Sequence, residues 1–409
     1  MKAFVKRAMR DETGAALALA LVLLVVGGLI LAPLLGLMGT GLLAGQAYER
    51  HMDRLYAADA GVEDAIWRIQ ANNLTFDANN WSEPWHLTAN GKNVTVQAHR
   101  EDLDPTCAEN ITYQILSTAA TDDGGGTAAI GSSTAIDAHL VVSHLYLGPL
   151  LDYAIISNST IDIQSNNYID GDVWLPDDSR LSDPKGAING TAYDSSTVDL
   201  SWPDAEDLSS YYGAKVDDLT PSTSSSIDIP EGTSENTRFV IPRLSSAPEG
   251  RQLTIKGDGW INLGGTIYVK GDLVLSANPQ ISLNLSGQTV FVEGAIDIPP
   301  GVTLSGSGCI IAVGDITFRP NMASAENEFV LVMSIKGKTT LQPNGSFTGC
   351  IAGNAEVQVQ PAQGEGFTIR WIDPEGKGLD FPGVDVDEDE LEDLPITGLR
   401  IASWEINPQ

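Results

Sequence analysis

Apolar residues are spread along this chain in three different ways. From Ala15 to Tyr48 they run almost unbroken, and no Asp, Glu, Lys, Arg or His interrupts them. About 20 apolar residues in a helix cross the hydrocarbon core of a bilayer, so this run predicts a membrane-spanning helix with residues to spare. Beyond it, Tyr48, Met52, Leu55, Val62, Ile66 and Ile69 recur at steps of three and four, with Asp59 at the missing position. That period lays one apolar stripe along a continuing helix. A helix from Ala15 to Gln70 is on the order of 80 Å long. The stripe fits either a coiled-coil stalk or docking onto a β-domain, and its length of about three heptads favours docking.

After Gln70 the period drops to two. Asn72 to Asn80 is rich in Asn and reads as a turn region. Asn93–His99, Ile111–Thr118 and Ala128–Ser143 alternate as strands, with a turn at Asp122–Gly126. Residues 71–150 therefore predict a small antiparallel β region. A third pattern follows. The strings around Gly271, Gly294, Gly314 and Gly337 each hold a short strand, a bend at the glycine and a second short strand. The glycines are 23, 20 and 23 residues apart. A weaker copy follows at Ile351–Val359, and an earlier one covers Ala154–Trp174.

A period near 20 with two or three short strands per unit marks a β-solenoid, each coil burying its apolar face on the next. Gly permits the tight corner between faces. A β-sandwich with regular turns is the alternative. The chain thus reads as α+β. A long N-terminal helix over 15–70, transmembrane in its first half, leads into the antiparallel region and then a right-handed β-helix over 151–372. Residues 176–237 break the pattern with Ser, Thr, Asp, Pro and Gly, and read as a polar insertion projecting from the solenoid, ordered around Trp202 and Tyr211–Tyr212. Residues 373–409 read as an acidic C-terminal segment.

Charge orients this arrangement. Lys and Arg number 23 against 54 Asp and Glu, a formal net charge of −31. Lys2, Lys6, Arg7 and Arg10 all precede the apolar run, and basic residues mark the cytoplasmic side of a membrane segment. The N-terminus is expected inside and residues 49–409 outside. An acidic ectodomain repels phosphate backbones, which excludes sequence-independent nucleic-acid binding. The three cysteines, Cys107, Cys309 and Cys350, are too few for a disulfide framework, and neither they nor the five scattered histidines show metal-ligand spacing. Cys309 and Cys350 precede similar strands about two coils apart, too far for a bridge.

The junction Asp11-Glu12-Thr13-Gly14-Ala15-Ala16-Leu17 changes the picture most. A charged leader, here residues 1–14, ending in Gly before an apolar helix resembles the leader of type IV pilins and pseudopilins. The resemblance implies cleavage by a prepilin peptidase between Gly14 and Ala15. The family's usual Glu at the fifth mature position is replaced by Leu19, a departure shared by PilX-like minor pilins. Leu55 to Ile66, with Asp59 for the usual Glu, is similar to the segment after the membrane helix in those proteins, some of which bear a C-terminal β-helix. Pro33 removes one helix hydrogen bond and is expected to kink the helix; in pilins a Pro near this position marks where the helix melts on assembly.

The resemblance implies a non-enzymatic minor pilin-like subunit, anchored in the inner membrane and later displayed at the cell surface. It implies other pilin subunits, the assembly machinery and a glycan or surface ligand as partners, with no cofactor. Two rival classes stay open: a single-pass structural surface protein, and a tethered polysaccharide lyase or hydrolase. Carboxylates for the latter are Asp272, Glu293, Asp297 and Asp315; the first and last follow corner glycines, where a solvated residue accepting backbone hydrogen bonds is the simpler expectation. No catalytic triad or nucleotide motif occurs. The tail Asp385–Asp393 starts like a calcium loop but has Glu390 and Ile396 where Gly and Glu belong, so an acidic linker is expected.

Overall fold

The computed structural model describes residues 2–101, 110–120, 133–164, 166–177, 180–183, 186–198, 200, 202–220, 222–246, 252–276, 280–323, 325–361, 366–384, 394 and 396–408, the side chains of 2–19 and 408 excepted. Cys107 and the turn at 122–126 lie outside the described residues, as does the acidic tail at 385–393. The chain divides into two units. One holds residues 1–103, 111–142 and 399–409; the other holds 104–110 and 143–398.

The first unit is built on one helix, Lys2–Gln70. It contains Gly14, Ala15 and Pro33, and its helical span runs through all three. Pro33 has no N–H to give the Leu29 carbonyl four residues back. Leu21 to Leu43 expose large apolar side chains, Leu24 to 78 %. The lower helix packs against a sheet ordered Trp85–Ala89, Lys92–Arg100, Asn110–Ala120, Ser133–His144 and Ile396–Pro408. Its buried face is Ala57, Ala58, Val62, Ala65 and Ile69. This face is turned from the expected stripe: Leu55 and Ile66 are half-buried, and Tyr48 is exposed. Small residues make the seat. A Cβ on Gly61 would stand 2.8 Å from Val96 Cγ2 and 2.9 Å from Val94 Cγ1, so only Gly lets the helix approach this closely. Ser117 Oγ donates to the Ala58 carbonyl at 2.6 Å across the contact.

The first two strands form a hairpin through Asn90-Gly91, both at positive φ (48° and 67°), the backbone a two-residue hairpin turn demands. Asp64 then closes the seat: its Oδ2 accepts from Arg68 Nε at 2.8 Å and Trp85 Nε1 at 2.7 Å. The last strand, Ile396–Pro408, belongs to this sheet, so the acidic C-terminal segment expected over 373–409 ends in a strand.

The second unit is the β-solenoid, with three parallel faces. One face stacks Ser226–Asp228, Leu253–Lys256, Leu273–Leu275, Ile296–Ile298, Ile316–Phe318, Lys338–Leu341 and Glu356–Val359. It then continues with Ile161–Ile163 and Leu181–Ser182. The earliest coils in sequence therefore lie on top of the latest, with Ile351 opposite Ile155 and Val357 opposite Ile161. Inward columns are aliphatic, as in Leu253, Leu273, Ile296 and Ile316. Buried Thr339 continues that column and donates Oγ1 to the Ala352 carbonyl at 2.6 Å.

The expected projecting insertion at 176–237 takes a different form. Leu181–Ser182, Ile188–Asn189 and Ala192–Tyr193 are further coil strands. The chain then forms a helix, Ala205–Ala214, before Ser226–Asp228 starts the opposite end of the stack. Asp204 caps the helix by accepting from Glu206 N at 2.7 Å. Ala205, Leu208 and Tyr212 bury one side of it against the solenoid. The physical reason is the chain order: coils from the two ends of the stack are neighbours in sequence, so a crossover must travel its length.

Candidate functional site

Three of the corner glycines, Gly271, Gly294 and Gly314, form a ladder, and Ser334 Oγ links the third to Gly337. Gly294 N donates to the Gly271 carbonyl at 3.1 Å, and Gly314 N to the Gly294 carbonyl at 2.9 Å. The Gly337 carbonyl accepts from Ala355 N at 2.9 Å in the next coil. Asp272 and Asp315 sit beside this ladder. Asp272 Oδ1 accepts from Ala295 N at 2.8 Å, and Asp315 Oδ1 from Lys338 N at 2.9 Å. Asp172 repeats the bracket with Thr191 N at 2.7 Å. A Cβ on Gly294 or Gly337 would collide with the bracketing carboxylate and stand 2.8 Å from backbone of the preceding corner, so these two corners are Gly because the coils stack backbone on backbone there.

The remaining enzyme candidates are occupied in a similar way. Glu293 Oε1 accepts the Tyr268 hydroxyl, and Asp297 Oδ1 pairs with Arg319 Nη2 at 2.9 Å. Burial and the bond to Glu293 push the Tyr268 phenol well up, so it stays a donor. Each carboxylate thus holds a structural group. No group of three His, Cys, Asp or Glu is placed to hold a metal among the described residues.

One solenoid face is closed on both sides. Its strands include Thr289–Val292, Gly308–Ala312, Val330–Ser334 and Phe347–Gly353, buried throughout. The inner side joins the aliphatic core; the outer side packs under Leu208 and Tyr212 of the crossover helix. Tyr212 stacks on Phe291 at 5.0 Å between ring centroids, and Tyr268 on Phe291 at 5.4 Å. Cys309, Leu331 and Cys350 are successive neighbours here, so one coil separates the two thiols, and both are free. Burial pushes both thiols up, which makes them inert. Asp380 fastens the cover: its carboxylate takes Lys215 Nζ and, at 2.7 Å, Thr266 Oγ1, while its carbonyl takes Tyr212 OH at 3.0 Å and Thr289 Oγ1 at 2.5 Å.

The third face is open. Its strands are Phe239–Ile241, Gly259–Leu263, Ile281–Asn284, Val302–Ser305 and Asn321–Met322. Two outward columns run across them: Trp260, Ser282, Thr303 and Asn321 form one, and Val240, Asn262, Asn284 and Ser305 the other. These columns carry no charge. The neighbouring face carries ion pairs instead, Lys256–Asp228, Arg319–Asp297 and Lys338–Glu356.

These features define a class: a β-solenoid protein with an N-terminal helix long and apolar enough to cross a membrane, and a small helix-packed antiparallel sheet. No protein-family model matches the chain and no curated protein matches its sequence. Among solved structures it is similar to the competence-associated pilin ComZ of Thermus thermophilus, with 15 % identity, TM-score 0.29, and coverage of 88 % of this chain and 98 % of that one. It is also similar to the ice-binding protein LeIBP of an Arctic yeast, at 14 % identity and TM-score 0.25, covering 56 % and 95 %. The ice-binding protein_1 DUF3494 domain of Shewanella frigidimarina matches at 16 % and 0.22, covering 53 % and 98 %. Overlays this loose define no shared activity.

Proposed function

We propose that this chain is a non-enzymatic, minor pilin-like subunit of a type IV pilus or related secretion filament. The observation that carries the reading is the division of one helix between two environments. Its upper half is apolar and exposed from Leu21 to Leu43. Its lower half seats alanines and Gly61 on an antiparallel sheet. A helix of this kind is anchored in the inner membrane by its apolar half, N-terminus inside, and transfers that half to the core of a filament on assembly. Glycines 27, 28, 36, 39, 41 and 45 meet nothing in the single chain, which suits close approach of neighbouring helices. Gly14–Ala15 is the peptidase site, Pro33 the point of weakness on assembly, and the solenoid the displayed contact surface.

The test is fractionation of cells expressing the chain. Wild-type protein is expected both in the membrane and in surface filaments released by shearing. Gly14→Glu, which blocks the cleavage junction, is expected to leave it in the membrane alone. Equal recovery of both forms in the sheared fraction, or recovery of neither, contradicts the reading.

A further inference from the structure

We propose that the open, carboxylate-free solenoid face binds a neutral, hydroxyl-rich polysaccharide chain lying along the stack. The inference rests on the reading of the solenoid as a contact surface and names the face and the ligand class.

The argument starts by elimination among the three faces. The first is sealed on its outer side by Leu208, Tyr212 and the residues around Asp380. The second presents Asp297, Lys338, Glu356 and Asp162 outward, engaged with one another and with Arg319 and Gln358. Only the third leaves two long columns of neutral groups open. In a chain of net charge −31 these columns hold no carboxylate, and the charge beside them is the Arg238 guanidinium over Trp260 at one end.

The residue types add a second line. Asn is disfavoured in strands, yet Asn262, Asn284 and Asn321 occupy outward strand positions here. Their Oδ1 atoms already accept, Asn262 from Arg238, Asn284 from Ser286 and Asn321 from Asn344, which holds each amide in place as a donor. Ser282, Thr303 and Ser305 add hydroxyls that both donate and accept at the ladder spacing of about 4.8 Å. Asn344 Nδ2 donates to Asn321 Oδ1 at 3.1 Å and extends the row by one coil. Sugar hydroxyls also both donate and accept, and successive rings of an extended glycan repeat on a comparable scale. An acidic polymer is disfavoured by the chain's own charge, and a basic one finds no carboxylate on these columns.

Trp260 supplies the third line. Arg238 lies over the indole at 5.3 Å and its Nη1 donates to Asn262 Oδ1 at 3.0 Å, which fixes the ring and leaves Asn262 in place. On the side of the next coil the register neighbour is Ser282, a small side chain. Side chains stand roughly perpendicular to a sheet, so one indole face stands above a hydroxymethyl group. A pyranose ring fits against such a face, its C–H groups on the π-system and its hydroxyls on Ser282 and Thr303. Val240, 52 % exposed, borders the same end.

The experiment uses the full chain in detergent and measures its retention on insoluble cellulose and chitin, with immobilised polygalacturonate as the acidic counterpart. Retention on at least one neutral polymer is expected, unaffected by added salt, with none on polygalacturonate. Trp260→Ala and Thr303→Asp are each expected to raise the Kd about tenfold or more. Thr317→Asp, on the charged face, is expected to leave it unchanged, and the unfolding temperature of each variant checks its fold. The proposal is overturned if the wild type passes through both neutral polymers. It is equally overturned if polygalacturonate binds as well, or if the folded Trp260→Ala and Thr303→Asp proteins bind like wild type. Shear release of the wild type without retention removes this proposal and leaves the pilin reading standing; retention without shear release does the reverse.

Discussion

In the helix–sheet unit the apolar face of the sheet is closed by Ala57, Ala58, Gly61 and Ala65; in the solenoid the covered face is closed by Leu208 and Tyr212 stacked over Tyr268 and Phe291. One contact is made by removing side chains and the other by adding large ones. The difference follows from the residues at each contact. The long helix presents Ala57, Ala58, Gly61 and Ala65, so the sheet comes up to its backbone. The crossover helix presents Leu208 and Tyr212, and it fills the space above a parallel sheet with aromatic volume. Burial by close approach has little tolerance for a larger side chain. Burial by filling has little tolerance for a smaller one.

The largest expected effect sharpens that contrast in the solenoid. Phe291→Ala empties the centre of the aromatic stack and is expected to cost about 3–5 kcal/mol, seen as earlier unfolding in urea. An unchanged midpoint would show that the crossover helix collapses onto the gap. Next comes the opposite change in the other unit. Gly61→Leu drives side-chain atoms into Val94, Val96 and Ser117 and is expected to cost about 1–3 kcal/mol. Amide exchange is expected to rise in the strands Lys92–Arg100 and Asn110–Ala120 and not in the solenoid. A rise in both would break the comparison.

A smaller change probes the corner brackets. Asp315→Ala removes the acceptor of Lys338 N and is expected to cost about 1 kcal/mol, visible as roughly fivefold faster exchange of that amide. The same substitution tests the enzyme alternative: loss of any polysaccharide-cleaving activity here would return the carboxylates to a catalytic role.

The smallest effect is an acid one. Backbone hydrogen bonds from Trp81 and Asn79 hold the Asp77 carboxyl below its usual value in the helix–sheet unit. Bonds led by the Ser196 hydroxyl do the same for Asp194 in the solenoid. A depressed carboxyl contributes stability above its unfolded pKa and loses it as pH falls through the folded value. Both turns are therefore expected to hold at neutral pH and to loosen only below the ordinary aspartate range. Amide shifts of Asn79 and Ser196 followed against pH read the two midpoints, and a midpoint at or above the ordinary value in either turn contradicts its hydrogen-bond account.

Much of this was legible from residues alone. The long apolar run, the two-residue alternation and the recurring corner glycines correspond to the helix, the sheet and the coils. What escaped has identifiable physical causes. Trp85–Ala89 is short, and its signal was the Asn90-Gly91 turn rather than its own alternation. The helix seat was hidden because Ala and Gly carry little weight in an apolar stripe, so Leu55 and Ile66 drew the face around. The covered solenoid face did leave a mark: Cys309–Ala312 and Val330–Met333 are continuous apolar runs, as expected of strands buried on both sides. The stacking of Ile155–Ser157 on Phe347–Gly353 left none, since nothing local specifies which distant coil a strand will meet. The open face was equally quiet, because register alone brings Ser282, Thr303 and Asn321 into one column.

The mass of the mature N-terminus tests the central claim most directly. Protein purified from the envelope of cells that carry a prepilin peptidase is expected to begin at Ala15, and to begin at Met1 when the peptidase is deleted. A chain that keeps Met1 in both strains, or is cut anywhere other than after Gly14, contradicts the pilin-like account.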